Sequence, residues 1–312
     1  MDRHDVQWKG YWPACPTPFT EDDKIDTSTL RTLVEWFVGQ DFHGIFVNGT
    51  TGEWFSQTEQ ERKLVAETVL DQVAGRIPVV VGVSSFTANA AAALGVHAVE
   101  HGAAGIGSTL PPYAKTLPNE SIAYYEDLSS LVDAPLMVYN WPHGTSVDID
   151  SQLALSLCEI EHVVAFKDST PNIDQFWTTT QTIIDKARVF GNFMTRAGLD
   201  FISRVGGDGM IGGGSVFGRP DAEFWQDVWT GNNDRAREHA IATEKLFDAL
   251  WAPGGWRGHY GAYQSQLKAI MMMRGIPGGG PVRRPRLPIT DSKSLEAIRA
   301  SLIQAGLSVV PR

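Results

Sequence analysis

Cysteine is rare in this 312-residue chain, which contains only Cys15 and Cys158. Two isolated cysteines exclude a disulfide framework, and they do not form the Cys-x-x-Cys pair of many zinc sites. Low cysteine usage without such a framework is typical of proteins that fold in a reducing compartment. We therefore expect a cytoplasmic protein.

Long apolar runs and excess positive charge are also lacking. No run reaches the roughly 18 apolar residues of a membrane-spanning helix, and Met1–Asp5 leads into polar sequence rather than the apolar core of a secretion signal. The formal net charge is -10 and the isoelectric point is about 5.3, which disfavours binding to nucleic acid or anionic lipid. We expect a small-molecule partner, no nucleic acid and no membrane association.

Short apolar runs alternate with amphipathic stretches from Gly10 to about Gly213, the pattern of repeated strand–helix units around a parallel sheet. Eight strands close a (β/α)8 barrel, so we predict an α/β protein with a TIM-barrel core. The predicted strands are Tyr11–Cys15, Gly44–Asn48, Pro78–Val83, Gly105–Leu110, Pro135–Asn140, Val163–Lys167, Arg188–Gly191 and Gly209–Gly212.

One intervening helix has a clear start and stop. Thr58-Glu59-Gln60-Glu61 is a capping box, and Gly75 predicts the end of the helix. Its buried face is predicted to carry Leu64, Val65, Val69 and Val73.

The strand pattern stops near residue 220, and helical pattern dominates the rest of the chain. Helices are predicted at Ala236–Leu250, Tyr263–Arg274 and Ser292–Ala305. We therefore divide the chain into a barrel core, residues 1–220, and a C-terminal helical extension, residues 221–312, packed on the barrel. Pro281–Arg286 is basic but interrupted by prolines, and we interpret it as a surface connector rather than a binding patch.

The carboxyl ends of the strands form the active-site face of such a barrel, and one predicted strand ends in lysine. Lys167 follows the apolar run Val163–Phe166, where an ammonium that pointed into the barrel would be poorly solvated. Desolvation favours the neutral amine, which is the form that condenses with a ketone. The alternative is a lysine whose side chain extends to water at the strand end.

Two other strand ends carry polar side chains. Tyr139 could pass protons during carbon–carbon bond cleavage, or it could be a buried tyrosine with a satisfied hydroxyl. After the second strand, Thr50 and Thr51 follow Gly49 in a turn whose N–H groups and hydroxyls could bind a carboxylate. An ordinary turn between strand and helix is the alternative.

These motifs together resemble the dihydrodipicolinate synthase / N-acetylneuraminate lyase family of pyruvate-dependent class I aldolases. The resemblance spans most of the chain and is carried by the order and spacing of Pro16-Thr17-Pro18-Phe19, Gly49 to Glu53, Tyr139-Asn140-x-Pro142, Lys167-Asp168-Ser169 and Arg286-Leu287-Pro288. It implies a metal-free, lysine-dependent aldolase or lyase that acts on pyruvate or another 2-oxo acid without a cofactor. It also implies a homotetramer or dimer.

Carried over position by position, the resemblance implies roles for individual residues. Lys167 would form the Schiff base, Tyr139 would transfer protons, and Thr50 would link Tyr139 to a proton relay. Thr50 and Thr51 would hold the carboxylate of the 2-oxo acid. Further substrate-binding residues would be Gly49, Ile211 and Gly191.

The chain departs from the family's synthases at two places. Those synthases carry an arginine shortly after the Tyr-Asn-x-Pro motif to hold the carboxylate of the second substrate, whereas this chain reads His143-Gly144-Thr145-Ser146. They also carry a Tyr-Tyr pair after the fourth strand, one member of which completes the relay across a subunit interface. Here the sequence is Pro112-Tyr113-Ala114, which leaves Tyr113 as the candidate.

Several aromatic residues lie near these motifs and indicate a pocket for a bulky or aromatic second substrate. They are Trp141, His143, Trp54 and Phe55. The alternative is that the aromatic side chains pack the barrel rim and that His143 faces solvent.

The leading hypothesis is an enzyme that makes or breaks a carbon–carbon bond through an enamine of pyruvate. The alternatives are a dehydratase of a 3-deoxy-2-oxo sugar acid, a genuine 4-hydroxy-tetrahydrodipicolinate synthase and, from a different class, a non-catalytic 2-oxo acid binding protein. No cluster of His, Asp, Glu or Cys has convincing metal-ligand spacing, and no Gly-x-Gly-x-x-Gly joins a strand to a helix. We therefore expect neither a metal nor a dinucleotide.

Overall fold

The computed structural model describes residues 1–213 and 216–311. Eight parallel strands form one sheet in the order β1-β8-β7-β6-β5-β4-β3-β2. They are β1 Gly10–Pro13, β2 Ile45–Val47, β3 Val79–Gly82, β4 Gly105–Thr109, β5 Leu136–Asn140, β6 Val163–Asp168, β7 Arg188–Phe190 and β8 Gly209–Gly212.

The sheet curls until its two edge strands meet. Ala14, the residue after β1, forms a parallel bridge with Phe46 in β2. The N–H of Cys15 donates to the Phe46 carbonyl at 2.8 Å. The predicted TIM barrel is therefore confirmed. Each predicted strand lies within two residues of the observed one at both ends, because the buried strands of a parallel barrel are the short apolar runs themselves.

Helices connect the strands and continue beyond the barrel. Those between strands are α1 Thr27–Gly39, α2 Glu59–Val73, α3 Ala88–Glu100, α4 Pro118–Leu131, the short α5 Pro142–Thr145, α6 Ser151–Leu157, α7 Ile173–Ile183 and α8 Arg196–Ile202. After β8 come α9 Arg219–Thr230, α10 Asn233–Leu250, α11 Tyr263–Arg274 and α12 Ser292–Gln304. Short 3-10 turns occur at Thr50–Gly52, Trp54–Ser56 and Pro253–Gly255.

The predicted capping box of α2 is confirmed. The Thr58 hydroxyl accepts from the N–H of Glu61 at 3.2 Å, and the Glu61 carboxylate accepts from the N–H of Thr58 at 2.9 Å. The helix ends before Gly75, as predicted. Leu64 is 41% exposed, so its assignment to the buried face was wrong. Residues at intervals of four from Val65 form the buried stripe, and Leu64 lies one position off it.

Large aromatic side chains fill the inside of the barrel. Trp12 is fully buried and packs edge-on against Phe190, with ring centroids 5.4 Å apart. Gly44 makes room for it, because a Cβ there would lie only 2.4 Å from the Trp12 ring. Tyr139 belongs to the same inner cluster and packs edge-on against Phe46. The barrel interior is therefore a packed core on which the site rests.

The predicted helical C-terminal part is present. α9 packs on β1 and on α10, and α10 also contacts α8 and α12. The predicted helices correspond to α10, α11 and α12, of which α10 begins three residues earlier than expected, at Asn233. The proposed division at residue 220 falls inside α9 and stays a prediction. Within the described ranges, no helix combines the length and apolar character needed to cross a membrane.

Candidate active site

A cavity of about 990 Å³ lies at the carboxyl ends of the strands. Its lining includes the side chains that follow β2, β5, β6 and β7, which the sequence places far apart. Of the predicted site residues, those that line it are Lys167, Tyr139, Thr50, Thr51, Gly49, Ile211, Gly191, Trp141 and His143. The barrel topology therefore brings nearly the whole predicted set to one opening.

Lys167 and Tyr139 lie on neighbouring strands in direct register. The Lys167 Nζ is 3.4 Å from the centroid of the Tyr139 ring and donates to the Ser169 hydroxyl at 3.0 Å. Lys167 is only 6% exposed, so its side chain does not extend to water. Burial lowers the pKa of its ammonium, and interactions with Tyr139 and Asp168 offset this only in part. The site therefore favours the neutral, nucleophilic amine more than water does.

Asp168 holds the ends of β5 and β6 together. Its carboxylate accepts from the Asn140 side chain at 2.9 Å and from the N–H of Thr170 at 3.0 Å. Asn140 also donates to Asp148 at 2.9 Å. Burial raises the pKa of Asp168 to about 6, against the lowering effect of these donors. The Asn of the Tyr-Asn-x-Pro motif thus stabilises the register that sets Lys167 beside Tyr139.

The threonine turn after β2 is held by the start of α11. The side chain of Gln264 donates to the Thr50 carbonyl at 2.8 Å, and the side chain of Tyr263 lies beside that of Thr51. Tyr263 stacks on Trp251, with ring centroids 4.6 Å apart, and lines the cavity. Burial and the nearby Tyr139 raise the pKa of its phenol.

Beneath this turn lies a buried ionic network. Glu53 is fully buried, contacts Lys268 at 2.8 Å and accepts from the N–H of Arg283 at 3.0 Å. Arg283 in turn pairs with Asp23 at 3.1 Å and with Glu61 at 2.9 Å. Loss of one partner would leave a buried charge uncompensated, so the network holds the turn in one position.

The interpretation of Pro281–Arg286 as a surface connector was wrong for two of its arginines. Arg283 is 7% exposed because the network encloses it, and Arg286 lines the cavity with its guanidinium 5.1 Å from the Phe55 ring centroid. Sequence reasoning also missed Tyr263. The Arg286-Leu287-Pro288 motif was a signal for Arg286, whereas no spacing linked α11 to the threonine turn.

The region after β5 has no room for an arginine. A Cβ on Gly144 would lie 2.5 Å from Cδ1 of Trp141, so Trp141 occupies the space that a longer side chain at residue 144 would need. His143 is exposed but stacks on Trp256, with ring centroids 5.4 Å apart. Trp54 and Phe55 line the same cavity. The wall beside Tyr139 is therefore aromatic.

Tyr113 lies outside the cavity in the single chain. Its side chain is 95% exposed, and its φ of 73° places the backbone in the left-handed region. Its role in the substrate site stays a prediction. The expectation of no metal-ligand cluster overlooked one group among the described residues. The ligand atoms of Glu67, His97 and His101 lie within 4.8 Å of one another and could hold a metal ion, but none of the three residues lines the cavity.

The comparisons with known proteins agree with this geometry. The family model for the dihydrodipicolinate synthetase family matches residues 7–304. An uncharacterized DapA-like lyase from Rhizobium meliloti is 30% identical over 299 residues, covering 92% of this chain and 93% of the relative. The 4-hydroxy-tetrahydrodipicolinate synthase of Thiobacillus denitrificans is 31% identical over 305 residues, covering 96% of this chain and 97% of that enzyme.

A solved structure supports the fold. YagE, a prophage protein belonging to the dihydrodipicolinic acid synthase family from E. coli K12, has a crystal structure in complex with pyruvate. It matches with a TM-score of 0.87 at 23% identity, over 97% of this chain and 100% of that chain. Fold, matched length and sequence relatives together show that this chain belongs to the dihydrodipicolinate synthetase family of lyases.

Proposed function

We propose that this lyase forms a Schiff base between Lys167 and pyruvate or another 2-oxo acid, and makes or breaks a carbon–carbon bond through the derived enamine. The observation that carries the proposal is the buried Lys167 amine 3.4 Å from the Tyr139 ring centroid at the base of a large cavity. A site that only bound a 2-oxo acid would not need a desolvated amine.

The proposed reaction begins with attack of the neutral Lys167 amine on the ketone carbon. The carbinolamine loses water to give a protonated imine, which withdraws electrons from the neighbouring carbon. In the condensing direction that carbon loses a proton, and the enamine attacks an aldehyde; in the cleaving direction the same steps run in reverse. Hydrolysis returns free Lys167 and the product. The iminium takes the place of a Lewis-acidic metal, so we propose that no cofactor takes part.

Tyr139 and the threonine turn supply the remaining roles. The Tyr139 hydroxyl transfers protons during formation and loss of the carbinolamine, and Thr50 is its relay partner. Thr50 and Thr51, with Gly49, bind the carboxylate, while Gly191 and Ile211 line the side of the cavity that holds the 2-oxo acid. The support is their common position on the cavity wall and the attachment of both threonines to α11.

A dehydratase of a 3-deoxy-2-oxo sugar acid is a second candidate that would use the same imine. A genuine 4-hydroxy-tetrahydrodipicolinate synthase is disfavoured because Trp141 fills the space beside Gly144. We further propose a cytoplasmic homotetramer or dimer, in which a partner could cover the exposed Tyr113.

Borohydride reduction tests the proposed function. The protein is incubated with each of a panel of 2-oxo acids, reduced, and measured by intact mass and peptide mapping. We expect pyruvate to leave a reduced adduct on Lys167, since reduction converts a reversible imine into a stable amine. An unmodified protein, or an adduct on another lysine, would contradict the proposal.

A further inference from the structure

The cavity is far larger than pyruvate requires. Its volume of about 990 Å³ is at the upper end of the roughly 300–1,000 Å³ that holds whole drug-sized ligands. Lys167 and the threonine turn account for the 2-oxo acid end of a substrate. The rest of the cavity wall is therefore available to the part of the substrate that becomes, or comes from, the aldehyde.

Arg286 stands on that wall with no acidic partner among the described residues. Its guanidinium lies over Phe55, 5.1 Å from the ring centroid, and its Nε is buried without a hydrogen-bond acceptor. Arg283, three residues earlier, pairs with Asp23 and Glu61. This difference between the paired Arg283 and the unpaired Arg286 matters because a partly desolvated guanidinium without an anion is energetically unfavourable.

The carboxylates that line the same cavity are engaged elsewhere. Glu244 accepts from the side chain of Arg196 at 2.6 Å, Asp221 contacts His239 at 3.3 Å, and Asp168 accepts from Asn140. None of them is paired with Arg286. The positive charge at this wall is therefore available to a ligand.

Apolar aromatic side chains line the cavity together with this charge and the catalytic lysine. Phe55 supports the guanidinium, and Trp54 and Trp141 line the cavity with it. A flat apolar body fits such walls, and an anion at its far end would meet a planar donor that binds carboxylates through two parallel hydrogen bonds.

We propose that Arg286 binds a carboxylate at the distal end of the aldehyde portion of the substrate, and that a flat apolar body connects this carboxylate to the reacting carbon. This inference rests on the proposed Schiff-base chemistry, whose substrate class it narrows to 2-oxo acids with an anionic aryl or similarly flat substituent. The guanidinium lies beside Phe55 on the β2 side of the cavity, and the loop directly after β5, residues 141–146, supplies no part of the carboxylate-binding group.

Binding without turnover tests the subsite. Isothermal titration calorimetry compares 4-(hydroxymethyl)benzoate with benzyl alcohol, two unreactive probes that differ by one carboxylate. We expect the wild-type protein to bind the benzoate roughly ten- to a hundredfold more tightly, the range of a charge-assisted hydrogen bond. Arg286→Gln should abolish the difference, and Arg286→Lys should restore only part of it, because ammonium lacks the planar fork.

Arg284→Gln is the matched control, since Arg284 is exposed, two residues away and outside the cavity lining. It should keep the wild-type preference. Equal binding of the two probes by the wild-type protein, or a preference that survives Arg286→Gln, would overturn the subsite.

Condensation kinetics and borohydride trapping separate the two proposals. With pyruvate, kcat/KM for 4-carboxybenzaldehyde relative to benzaldehyde should fall in Arg286→Gln by the same factor as the binding preference, while pyruvate trapping on Lys167 stays at the wild-type level. A trapped adduct without any carboxylate preference overturns the subsite alone. A carboxylate preference without a trapped adduct supports the subsite and overturns the Schiff-base function.

Discussion

The Lys167 amine lies 3.4 Å from the centroid of the Tyr139 ring, across one pair of hydrogen-bonded strands. Both residues are buried to the same extent, each with 6% of its surface exposed. The phenol therefore lies beside the proposed nucleophile together with the Ser169 hydroxyl, which accepts from the lysine at 3.0 Å. The electron-rich face of the tyrosine ring stabilises the charged form of the lysine.

Removal of the Tyr139 hydroxyl should slow turnover without unfolding the protein. Tyr139→Phe keeps the ring that packs on Phe46, so we expect kcat to fall by about 10²- to 10⁴-fold, the usual contribution of a positioned proton-transfer group. Steady-state kinetics and thermal unfolding measure the two effects. Lys167→Ala should be more severe. Full activity in Tyr139→Phe would mean that Tyr139 only packs.

Tyr263 should act through the threonine turn. Its side chain lies beside that of Thr51, so loss of the phenol hydroxyl in Tyr263→Phe should leave the carboxylate-binding turn less well oriented. We expect KM for the 2-oxo acid to rise by roughly tenfold, with a smaller change in kcat. Thr51→Val should mask this effect, because changes at two side chains that interact directly are non-additive. Tyr260→Phe, three residues away and outside the cavity lining, is the control. Additive effects on KM would exclude action through Thr51.

Asp168 should make folding stability depend on pH in a defined direction. Its pKa rises from 3.8 to about 6 on folding, mainly because of burial, so the folded state binds the proton more tightly than the unfolded state. Stability is therefore greatest when Asp168 is protonated and is lost as the pH rises from about 4 to 6. The shift corresponds to about 3 kcal/mol.

The variant Asp168→Asn isolates this contribution. Its amide oxygen can still accept from Asn140 and Thr170, but it does not titrate. Urea unfolding from pH 4 to 7 should show the free energy of unfolding of the wild-type protein falling by about 3 kcal/mol relative to the variant. Parallel pH profiles for the two proteins would show that burial does not shift the pKa of Asp168.

Most of the barrel could be predicted because its signals are local. Each buried strand is a short apolar run, and α2 carries its own capping box. Lys167 and Tyr139 were predictable for the same reason, since each terminates an apolar run at the face where such barrels carry their sites. Their proximity then follows from the pairing of β5 with β6.

The missed residues depend on contacts between distant segments. Tyr263 reaches Thr51 from a helix more than two hundred residues later in the chain, and Arg283 is buried only because Glu53, Asp23 and Glu61 surround it. A basic segment broken by prolines has the composition of a surface loop. Nothing in its local sequence shows that acidic partners enclose part of it.

Aspartate semialdehyde should be a poor acceptor with this enzyme. The wall after β5 offers no fixed cation, because Gly144 has no side chain and Trp141 occupies the adjacent space. Arg286 does not replace this missing cation. Arg286 lies beside Phe55, which follows β2, and β2 is three strands away from β5 in the sheet order. Aspartate semialdehyde also carries an ammonium group next to its carboxylate, and a guanidinium would repel this ammonium. Aldehydes with a flat apolar body lack that ammonium and match the aromatic wall.

The comparison that decides this is kcat/KM for condensation of aspartate semialdehyde with pyruvate, measured beside retro-aldol release of pyruvate from aryl-substituted and sugar-derived 2-oxo acids. We expect kcat/KM for one of the latter substrates to exceed that for aspartate semialdehyde by at least about 10²-fold. This factor is the cost of leaving a substrate carboxylate without its charged partner. Gly144→Arg is not a simple rescue, because its side chain would displace Trp141. Gly144→Arg combined with Trp141→Ala provides the space, and should raise kcat/KM for aspartate semialdehyde while lowering it for aryl substrates. A wild-type value of roughly 10⁴ M⁻¹s⁻¹ or more for aspartate semialdehyde, in the ordinary range for enzymes, would show that this wall does not exclude the amino acid aldehyde.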